Sequence, residues 1–310
     1  MSDKQMPTSQ GDAAAGRAGD GPRTGFRFFE PLRVRWAEVD MQRVVFNGHY
    51  LTYVDTALGA WWRALALPYE ATLAALGGDL FVRRSTLEYL APARYDDVLD
   101  VGIRFAGAGT SSLRFAAAVL RGDELLVQGE LVYVWTTPPG TGSAQRPQAV
   151  PRALLAAFEA HAAGESPVTV DVGDWSTLGP EAHDLRTAVF VQEQRIAREI
   201  EADALDATAV HAVARNRLGL AVGTGRLLPA EGTTPPRIGR MAVRRDLRGG
   251  RIGRAVLEAL MRSAGEQGAR EVTLHAQVSA LAFYERAGFR PHGPPFEEAG
   301  ILHQEMRRAP

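Results

Sequence analysis

The sequence contains no cysteine, and this absence removes a whole group of chemistries from consideration. Disulfide bridges, thiolate metal sites and a cysteine nucleophile all require that side chain. The composition also lacks an excess of charge of either sign, because 35 basic residues stand against 36 acidic ones. There is therefore no bulk electrostatic reason to expect a nucleic acid or an anionic membrane surface as partner.

Long apolar runs are absent as well. No stretch of the sequence approaches the roughly 20 apolar residues that a membrane-spanning helix needs. Residues 1–24 are rich in Gly, Ala, Ser, Asp and Thr and contain no apolar segment typical of a secretory signal. We therefore predict a disordered tail over residues 1–24 and a cytoplasmic protein. The seven histidines show no metal-ligand spacing, so we expect no metal and no tightly bound cofactor.

The length of 310 residues exceeds one typical domain, and the pattern of the sequence changes near its middle. The first part predicts one apolar helix followed by an antiparallel meander, which is an α+β arrangement with a sheet around a central helix. Its predicted strands cover residues 26–40, 80–89, 98–105, 112–120 and 124–135, and its helices cover 47–67 and 151–163. We assign residues 25–163 to this domain.

The run Gly164-Glu165-Ser166-Pro167 is the best candidate for a linker. Beyond it, strands and helices alternate in a mixed α/β pattern, so residues 168–310 form the second predicted domain. The predicted strands cover residues 168–172, 211–214, 218–228, 238–243 and 271–276, and the predicted helices cover 179–198, 250–267 and 279–287.

The first candidate site lies in the run from Arg35 to Leu51, which predicts a strand, a tight turn and the start of the long helix. Asp40 precedes that helix, and the backbone amides of Asn47 and Gly48 lie at its N-terminus. The first amides of a helix have no intrahelical acceptor and favour negative charge. A carboxylate opposite such amides suits attack on a carbonyl whose oxygen becomes negative. The alternative is that Asp40 is only a turn or capping carboxylate.

This run resembles the hotdog-fold acyl-CoA thioesterases of the 4-hydroxybenzoyl-CoA thioesterase type, and the similarity extends over residues 26–161. The resemblance implies that Asp40 is the nucleophile or the general base, and that the Asn47 amide polarises the thioester carbonyl. Arg43 stands where many members carry glycine, and Asn47 where many carry histidine. The turn of Thr110, Ser111 and Ser112 lies where the family holds the CoA phosphates, although an ordinary hairpin turn fits it equally well. The family further implies a homo-oligomer.

The second candidate site is the Gly-rich segment Arg248-Gly249-Gly250-Arg251-Ile252-Gly253, which follows a predicted strand and opens a predicted helix. Turns of this kind bind phosphate through free amides and the helix dipole. The segment resembles the CoA-binding signature of the GNAT acetyltransferases, with Arg251 in the place of the usual glycine. The resemblance covers residues 168–308, and within it the segments 186–194, 274–277 and 300–303 resemble the ElaA-like subgroup.

This second resemblance implies that the segment holds the pyrophosphate of acetyl-CoA and that the preceding strand, at Met241, Ala242 and Val243, pairs with its pantetheine arm. Tyr284 falls where GNAT enzymes keep a tyrosine that protonates the leaving thiolate, with a core tyrosine as the alternative. Glu193 and His211 are candidate groups on the side of the acceptor, and structural roles fit them at least as well.

Together these features predict a bifunctional enzyme, a hydrolase of acyl-CoA thioesters fused to a transferase that moves an acetyl group from acetyl-CoA to an amine. Both substrates are CoA thioesters, and the amine is not identified by the sequence. Two alternatives stay open. In the first, the GNAT half does not transfer acetyl groups but is an acetyl-CoA sensor that regulates the thioesterase. In the second, the hotdog half is not catalytic and serves as a dimerisation module on an active acetyltransferase.

Overall fold

The computed structural model describes residues 21–140, 144–201 and 203–310. The predicted disordered tail lies outside the described residues, apart from its last four positions. Two separate β-sheets organise the described chain, and each is built on its own cluster of buried apolar side chains.

The first sheet has five antiparallel strands in the order β1-β3-β4-β5-β2. The elements of this half are β1 (Phe29–Arg33), α1 (Asn47–Ala64), α2 (Tyr69–Leu76), β2 (Asp79–Tyr89), β3 (Val98–Ala108), β4 (Ser112–Arg121), β5 (Glu124–Thr136) and α3 (Arg152–Ala163). β2 pairs only with β5, so one of its edges is unpaired within the described chain.

Helix α1 lies at the centre of the first core, as its apolar residues on nearly all sides predict. Trp61 is fully buried, and its ring centroid lies 5.4 Å from that of Phe115 on β4 and 4.9 Å from that of Phe158 on α3. The sheet and the closing helix therefore clamp α1 from both sides and fix the direction in which its N-terminus points.

The second sheet has the order β11-β13-β10-β9-β8-β7-β6, with β12 added beside β13. Its strands are β6 (Val168–Gly173), β7 (Val210–Asn216), β8 (Ala221–Leu228), β9 (Arg237–Val243), β10 (Val272–Gln277), β11 (Arg290–Pro291), β12 (Phe296–Glu298) and β13 (Ile301–Arg308). Its helices are α4 (Trp175–Arg186), α5 (Arg198–Glu201), α6 (Ile252–Glu266) and α7 (Leu281–Arg286). The apolar face predicted for α6 packs on this sheet.

Several predicted elements differ from the observed ones. The strand predicted over 26–40 ends at Arg33, because a short 3-10 turn follows at Trp36–Glu38. The helix predicted over 179–198 begins earlier, at Trp175, where the Asp174 carboxylate caps it by accepting from the Thr177 amide at 2.9 Å. It then continues as a π-helical segment over Thr187–Glu193.

The end of α1 also contacts the second half of the chain. Ala66, two residues after α1, is buried in the second core cluster, and its carbonyl accepts a hydrogen bond from the Asn216 side-chain amide at 2.9 Å. A Cβ atom added at Gly250 would lie 3.6 Å from the carbonyl oxygen of Arg63. The last turn of α1 therefore lies against the Gly-rich segment of the second half.

Candidate active sites

The Asp40 side chain is held by the turn that it starts. One carboxylate oxygen accepts a hydrogen bond from the Gln42 amide at 2.7 Å, and the Arg43 amide donates to the Asp40 carbonyl at 2.9 Å. Arg43 has a φ of 61°, in the left-handed region that favours glycine. Among the described residues no ion pair joins Arg43 to Asp40. The second carboxylate oxygen is thus left available, and Asp40 as a whole is half-buried.

The N-terminus of α1 presents the two predicted amides. Phe46 is the N-cap residue and its side chain makes no capping hydrogen bond, so the first-turn amides of Asn47 and Gly48 have no intrahelical acceptor. The Tyr89 hydroxyl donates to the Asn47 carbonyl at 3.2 Å and ties the end of β2 to this turn. The arrangement provides N–H donors and positive dipole at the place where the sequence predicts an oxyanion.

Glu38 connects the segment before Asp40 to α1, and it was not among the residues predicted from the sequence. Although only 3% exposed, it accepts hydrogen bonds at 2.7 Å from the Arg35 amide and from the Tyr53 hydroxyl on α1. Burial by itself raises the pKa of Glu38, but the hydrogen bonds from Arg35 and Tyr53 outweigh it, and the pKa of this carboxyl lies below its usual value. The sequence contained one indication of this role. Glu38 lies three residues after Arg35, which is the spacing of the acidic residue in a capping box.

The predicted phosphate turn lies away from Asp40 within one chain. Thr110 and Ser111 lie in the connection between β3 and β4, and Ser112 is the first residue of β4. The Ser111 carbonyl accepts a hydrogen bond from the Trp135 amide near the end of β5. Trp135 pairs with Leu80 at the start of β2, whereas the Asn47 contact is made by Tyr89 at its end. At about 3.3 Å per residue, β2 separates the two places by roughly 30 Å.

The second candidate site is a cleft of about 1340 Å³ between β9 and β10. These strands run parallel, yet they pair only at Arg237 with Thr273 and at Ile238 with Leu274. Beyond this point β9 diverges, and Arg240 adopts a φ of 51° beside a break in its register with β8. Of the residues predicted to bind CoA or donate a proton here, all but Gly250 line the cleft, namely Met241, Ala242, Val243, Arg248, Gly249, Arg251, Ile252, Gly253 and Tyr284. The two candidates on the acceptor side, Glu193 and His211, do not line it.

The Gly-rich segment forms the turn before α6. Gly249 has a φ of 86°, and Arg251, the N-cap residue, has a φ of 63° and makes no side-chain capping hydrogen bond. The amides of Ile252 and Gly253 therefore open α6 without intrahelical acceptors. Arg251 stands where the resemblance places a glycine, and its backbone adopts the left-handed conformation that favours glycine.

The Arg248 side chain is bound within the protein. Its guanidinium donates to both Glu193 carboxylate oxygens at 2.6 and 2.7 Å and to the Val243 carbonyl at 3.2 Å. The hydrogen bond from Arg248 lowers the pKa of Glu193. Glu193 therefore joins the π-helical segment to the Gly-rich turn, a structural role that the sequence analysis left open.

Tyr284 lies in α7 between the rings of Phe283 and Phe289, whose centroids are 4.8 and 6.0 Å away. Burial raises the pKa of Tyr284 to about 12. The phenol is consequently neutral at physiological pH and holds a proton that it can donate into the cleft.

A network of charged side chains lies at one side of the cleft, formed by Arg186, Glu201, Asp203, Asp206, Arg226 and Arg240. Glu201, Asp203, Arg226 and Arg240 line the cleft itself. Arg186 is 1% exposed and donates to the two Asp206 oxygens at 2.8 and 2.9 Å. Burial raises the pKa values of Asp203 and Asp206, but the arginines outweigh it and lower both. His211 is 1% exposed, and its Nε2 lies 2.9 Å from the Asp206 carbonyl oxygen. It does not line the cleft, so it does not contact an amine bound there.

Within the described residues no group of three or more His, Cys, Asp or Glu side chains is arranged to hold a metal ion. Nor does any helix in the described ranges have the length and apolar character to cross a membrane.

Comparisons with known proteins match each half separately. The family model described as "Acetyltransferase (GNAT) domain" matches residues 177–309, and that of the "Thioesterase superfamily" matches residues 42–128. A UPF0039 protein of Schizosaccharomyces pombe is 38% identical over 125 residues, which are 40% of this chain and 82% of that protein.

Two bacterial relatives divide in the same way. The uncharacterized N-acetyltransferase YjcF of Bacillus subtilis is 32% identical over 129 residues, covering 41% of this chain and 90% of its own length. The acyl-CoA thioester hydrolase YbgC of Escherichia coli is 28% identical over 130 residues, covering 42% of this chain and 93% of its own length.

Proposed function

The chain belongs to the GNAT acetyltransferases and carries a thioesterase-superfamily hotdog domain before that fold, and from this premise we propose that it is a bifunctional acyl-CoA enzyme. In this proposal residues 25–163 hydrolyse an acyl-CoA thioester, residues 164–167 are the linker, and residues 168–310 transfer an acetyl group to an amine. One observation carries the proposal: each half presents an uncapped helix N-terminus, and beside it stands a side chain suited to thioester chemistry, Asp40 or Tyr284.

For hydrolysis, the thioester carbonyl oxygen points at the Asn47 and Gly48 amides while Asp40 attacks the carbon or takes a proton from an attacking water. The amide donors stabilise the charge that develops on oxygen, and the C–S bond breaks as CoA leaves. If Asp40 attacks the carbon, a water then cleaves the acyl-Asp40 anhydride; if Asp40 is the base, the proton that it took passes to the CoA thiolate. The carboxylate is already oriented, because the Gln42 amide holds one of its oxygens.

We propose that the active hotdog unit is a homodimer joined through β2. This strand has a free edge and exposes Phe81, Val82 and Tyr89, which makes it suited to pairing with a second copy. Antiparallel pairing of two β2 strands would bring the Thr110–Ser112 turn of one copy to the same end of the joined sheet as Asp40 of the other. This explains how a phosphate-binding turn and a catalytic carboxylate serve one substrate although they are far apart in one chain.

For acetyl transfer, the amides of the Arg248–Gly253 turn hold the pyrophosphate, and Met241–Val243 on the diverging part of β9 pair with the pantetheine arm. The backbone of β9 is available there because β10 has separated from it. Tyr284 donates its proton to the sulfur as the thioester bond breaks. A cytoplasmic location is part of this proposal, supported by the cysteine-free composition, which fits a reducing compartment.

A second candidate function is favoured by the contact between α1 and the Gly-rich turn. In it, acetyl-CoA binding at that turn regulates hydrolysis at the other end of α1 without acetyl transfer. If the second half is such a sensor, acetyl-CoA should change the rate of thioester hydrolysis even in the Tyr284→Phe variant, which lacks the proton donor for acetyl transfer.

The test uses the full chain, a panel of acyl-CoAs for thiol release, and a panel of amines for acetylated product by mass spectrometry. We expect Asp40→Asn to lower hydrolysis by about 10²–10⁴-fold and to leave amine acetylation unchanged. Asn still offers an oxygen to the Gln42 amide, so the turn is kept. Tyr284→Phe should show the reverse pattern, and each variant is the folding control for the other. Hydrolysis retained in full by Asp40→Asn would refute the assignment of the first site.

A further inference from the structure

A histidine–glutamate pair stands in the cleft of the second half, and the proposed function does not use it. Along β10, Val272, Leu274 and Ala276 are buried in the core beneath α6. Side chains alternate along a strand, so His275 and Gln277 lie on the opposite face, and both line the cleft. Tyr284 belongs to the core on the α6 side. His275 and Tyr284 therefore approach the cleft from opposite faces of the sheet.

The imidazole of His275 is oriented by its neighbours. Its Nδ1 lies 2.9 Å from Oε2 of Glu298 on β12, and its ring meets that of Phe296 edge-on at 4.8 Å between centroids. Since the carboxylate can only accept, Nδ1 carries the proton and the neutral ring keeps Nε2 as an acceptor. Within the described ranges Nε2 forms no protein hydrogen bond, and the side chain is 27% exposed.

Glu298 is ionised in this arrangement. Burial raises the pKa of its carboxyl, but the hydrogen bond from His275, together with the positive charge of Arg237, outweighs burial, and the pKa lies below its usual value. The other charged or titratable groups around the pair are Arg237 on β9 and His303 and Glu305 on β13, where Glu305 is paired with Arg307. A base held in one tautomer by a second group is the arrangement that proton transfer requires.

We propose that Nε2 of His275 is the general base that deprotonates the acceptor amine, and that Glu298 is a positioning residue that holds its tautomer. This inference rests on the proposed acetyl transfer and names the group that prepares the acceptor. An amine arrives as an ammonium ion, which has no lone pair with which to attack. His275 takes its first proton and passes it to water, and the freed nitrogen attacks the acetyl carbon.

The remaining steps balance. The C–N bond forms as the C–S bond breaks, and Tyr284 gives its proton to the sulfur, so CoA leaves as the thiol. The second proton on nitrogen returns to the Tyr284 phenolate. The sum converts an ammonium ion and acetyl-CoA into an amide, CoA and one proton released to water, with no oxidant or metal required.

The experiment measures acetyl transfer by the full chain over a range of pH, with acetyl-CoA affinity by calorimetry on the same samples. We expect His275→Gln to lower kcat by about 10²–10⁴-fold near neutral pH without a change in acetyl-CoA affinity. The loss should shrink at high pH, where the free amine is already present. His292→Gln, an exposed histidine outside the cleft, is the matched control and should behave as wild type.

Glu298→Gln separates positioning from simple support of the fold. Removing the carboxylate frees the imidazole from its single tautomer, so kcat should fall about tenfold while acetyl-CoA affinity stays unchanged, and Glu298→Asp, which keeps the carboxylate, should restore part of kcat. A His275→Gln chain that binds acetyl-CoA and transfers within twofold of wild type at every pH overturns the inference alone. Absence of amine acetylation in the wild-type chain overturns the proposed function together with it.

Discussion

The left-handed backbone at Arg251 predicts that glycine is more stable than alanine at this position. The opposite order is expected at Arg254 in the same helix, which provides the comparison. Arg251 has a φ of 63° and a ψ of 5° at the N-cap of α6. A side chain in this region costs about 1–2 kcal/mol, a penalty that glycine does not have. Glycine loses about 0.5–1 kcal/mol more conformational freedom on folding. We therefore expect Arg251→Gly to be more stable than Arg251→Ala by about 1 kcal/mol.

The matched pair is at Arg254, an exposed residue in the first turn of the right-handed helix. Here Arg254→Ala should be more stable than Arg254→Gly by about 1 kcal/mol, the usual difference in helix propensity. Within each pair both variants lose the same exposed charge, so the difference reports the backbone alone.

Urea unfolding of the full chain, followed by circular dichroism at one protein concentration, gives the four free energies of unfolding. A pair at Arg251 with the same sign as the pair at Arg254 would refute the reasoning. It would mean that the turn before α6 does not hold a left-handed residue, and the phosphate-binding shape described for it would then be wrong.

Three further predictions follow from single contacts. The pKa of Glu38 is lowered in the folded state, so the stabilisation of the fold by its carboxylate is present above about pH 4.3 and is lost as pH falls through the folded-state pKa. Glu38→Gln should therefore lower the unfolding temperature at pH 7, and the difference from the wild-type unfolding temperature should disappear in acid. Val82→Lys on the free edge of β2 should convert a dimer to a monomer in light scattering, whereas Val278→Lys, exposed in the second half, should not. Gly253→Glu should abolish acetyl-CoA binding in calorimetry, whereas Gly253→Ala should retain it, since the added Cβ meets its nearest atoms at an ordinary 3.5 Å.

The elements with strong periodicity were predictable from the sequence. β2, β4 and β5 begin and end within one residue of the predicted bounds, and α1 begins at the predicted Asn47. α2 was missed, because Pro68 was interpreted only as the stop of the helix predicted over 47–67, whereas α1 ends at Ala64 and Pro68 is the N-cap of α2. β13 was missed because a strand at the end of the chain is specified by its pairing with β10 rather than by its own pattern.

The candidate sites divide in the same way. Asp40 and the Gly-rich turn lie next to the helices α1 and α6 in the sequence, so their place beside the N-termini of these helices follows from the local pattern, while their roles stay predictions. The pair of His275 and Glu298 is separated by 23 residues and meets only through the β12–β13 hairpin. The position of the Thr110–Ser112 turn at the far end of the sheet likewise depends on strand order, which no local pattern contains.

The position of helix α1 decides whether the two halves of the chain can be separated. Its 18 residues form a rod of about 27 Å that starts at the Asn47 amides and ends against the second core, where Ala66 is buried and bonded to Asn216. Cleavage of the chain within residues 164–167, followed by separation of the fragments, would expose to solvent the surfaces around Ala66 and Asn216 that are buried in the intact chain. We expect the two fragments, expressed separately, to recombine into a split enzyme, and a foreign thioesterase grafted onto the second half to fail unless it brings a matching surface.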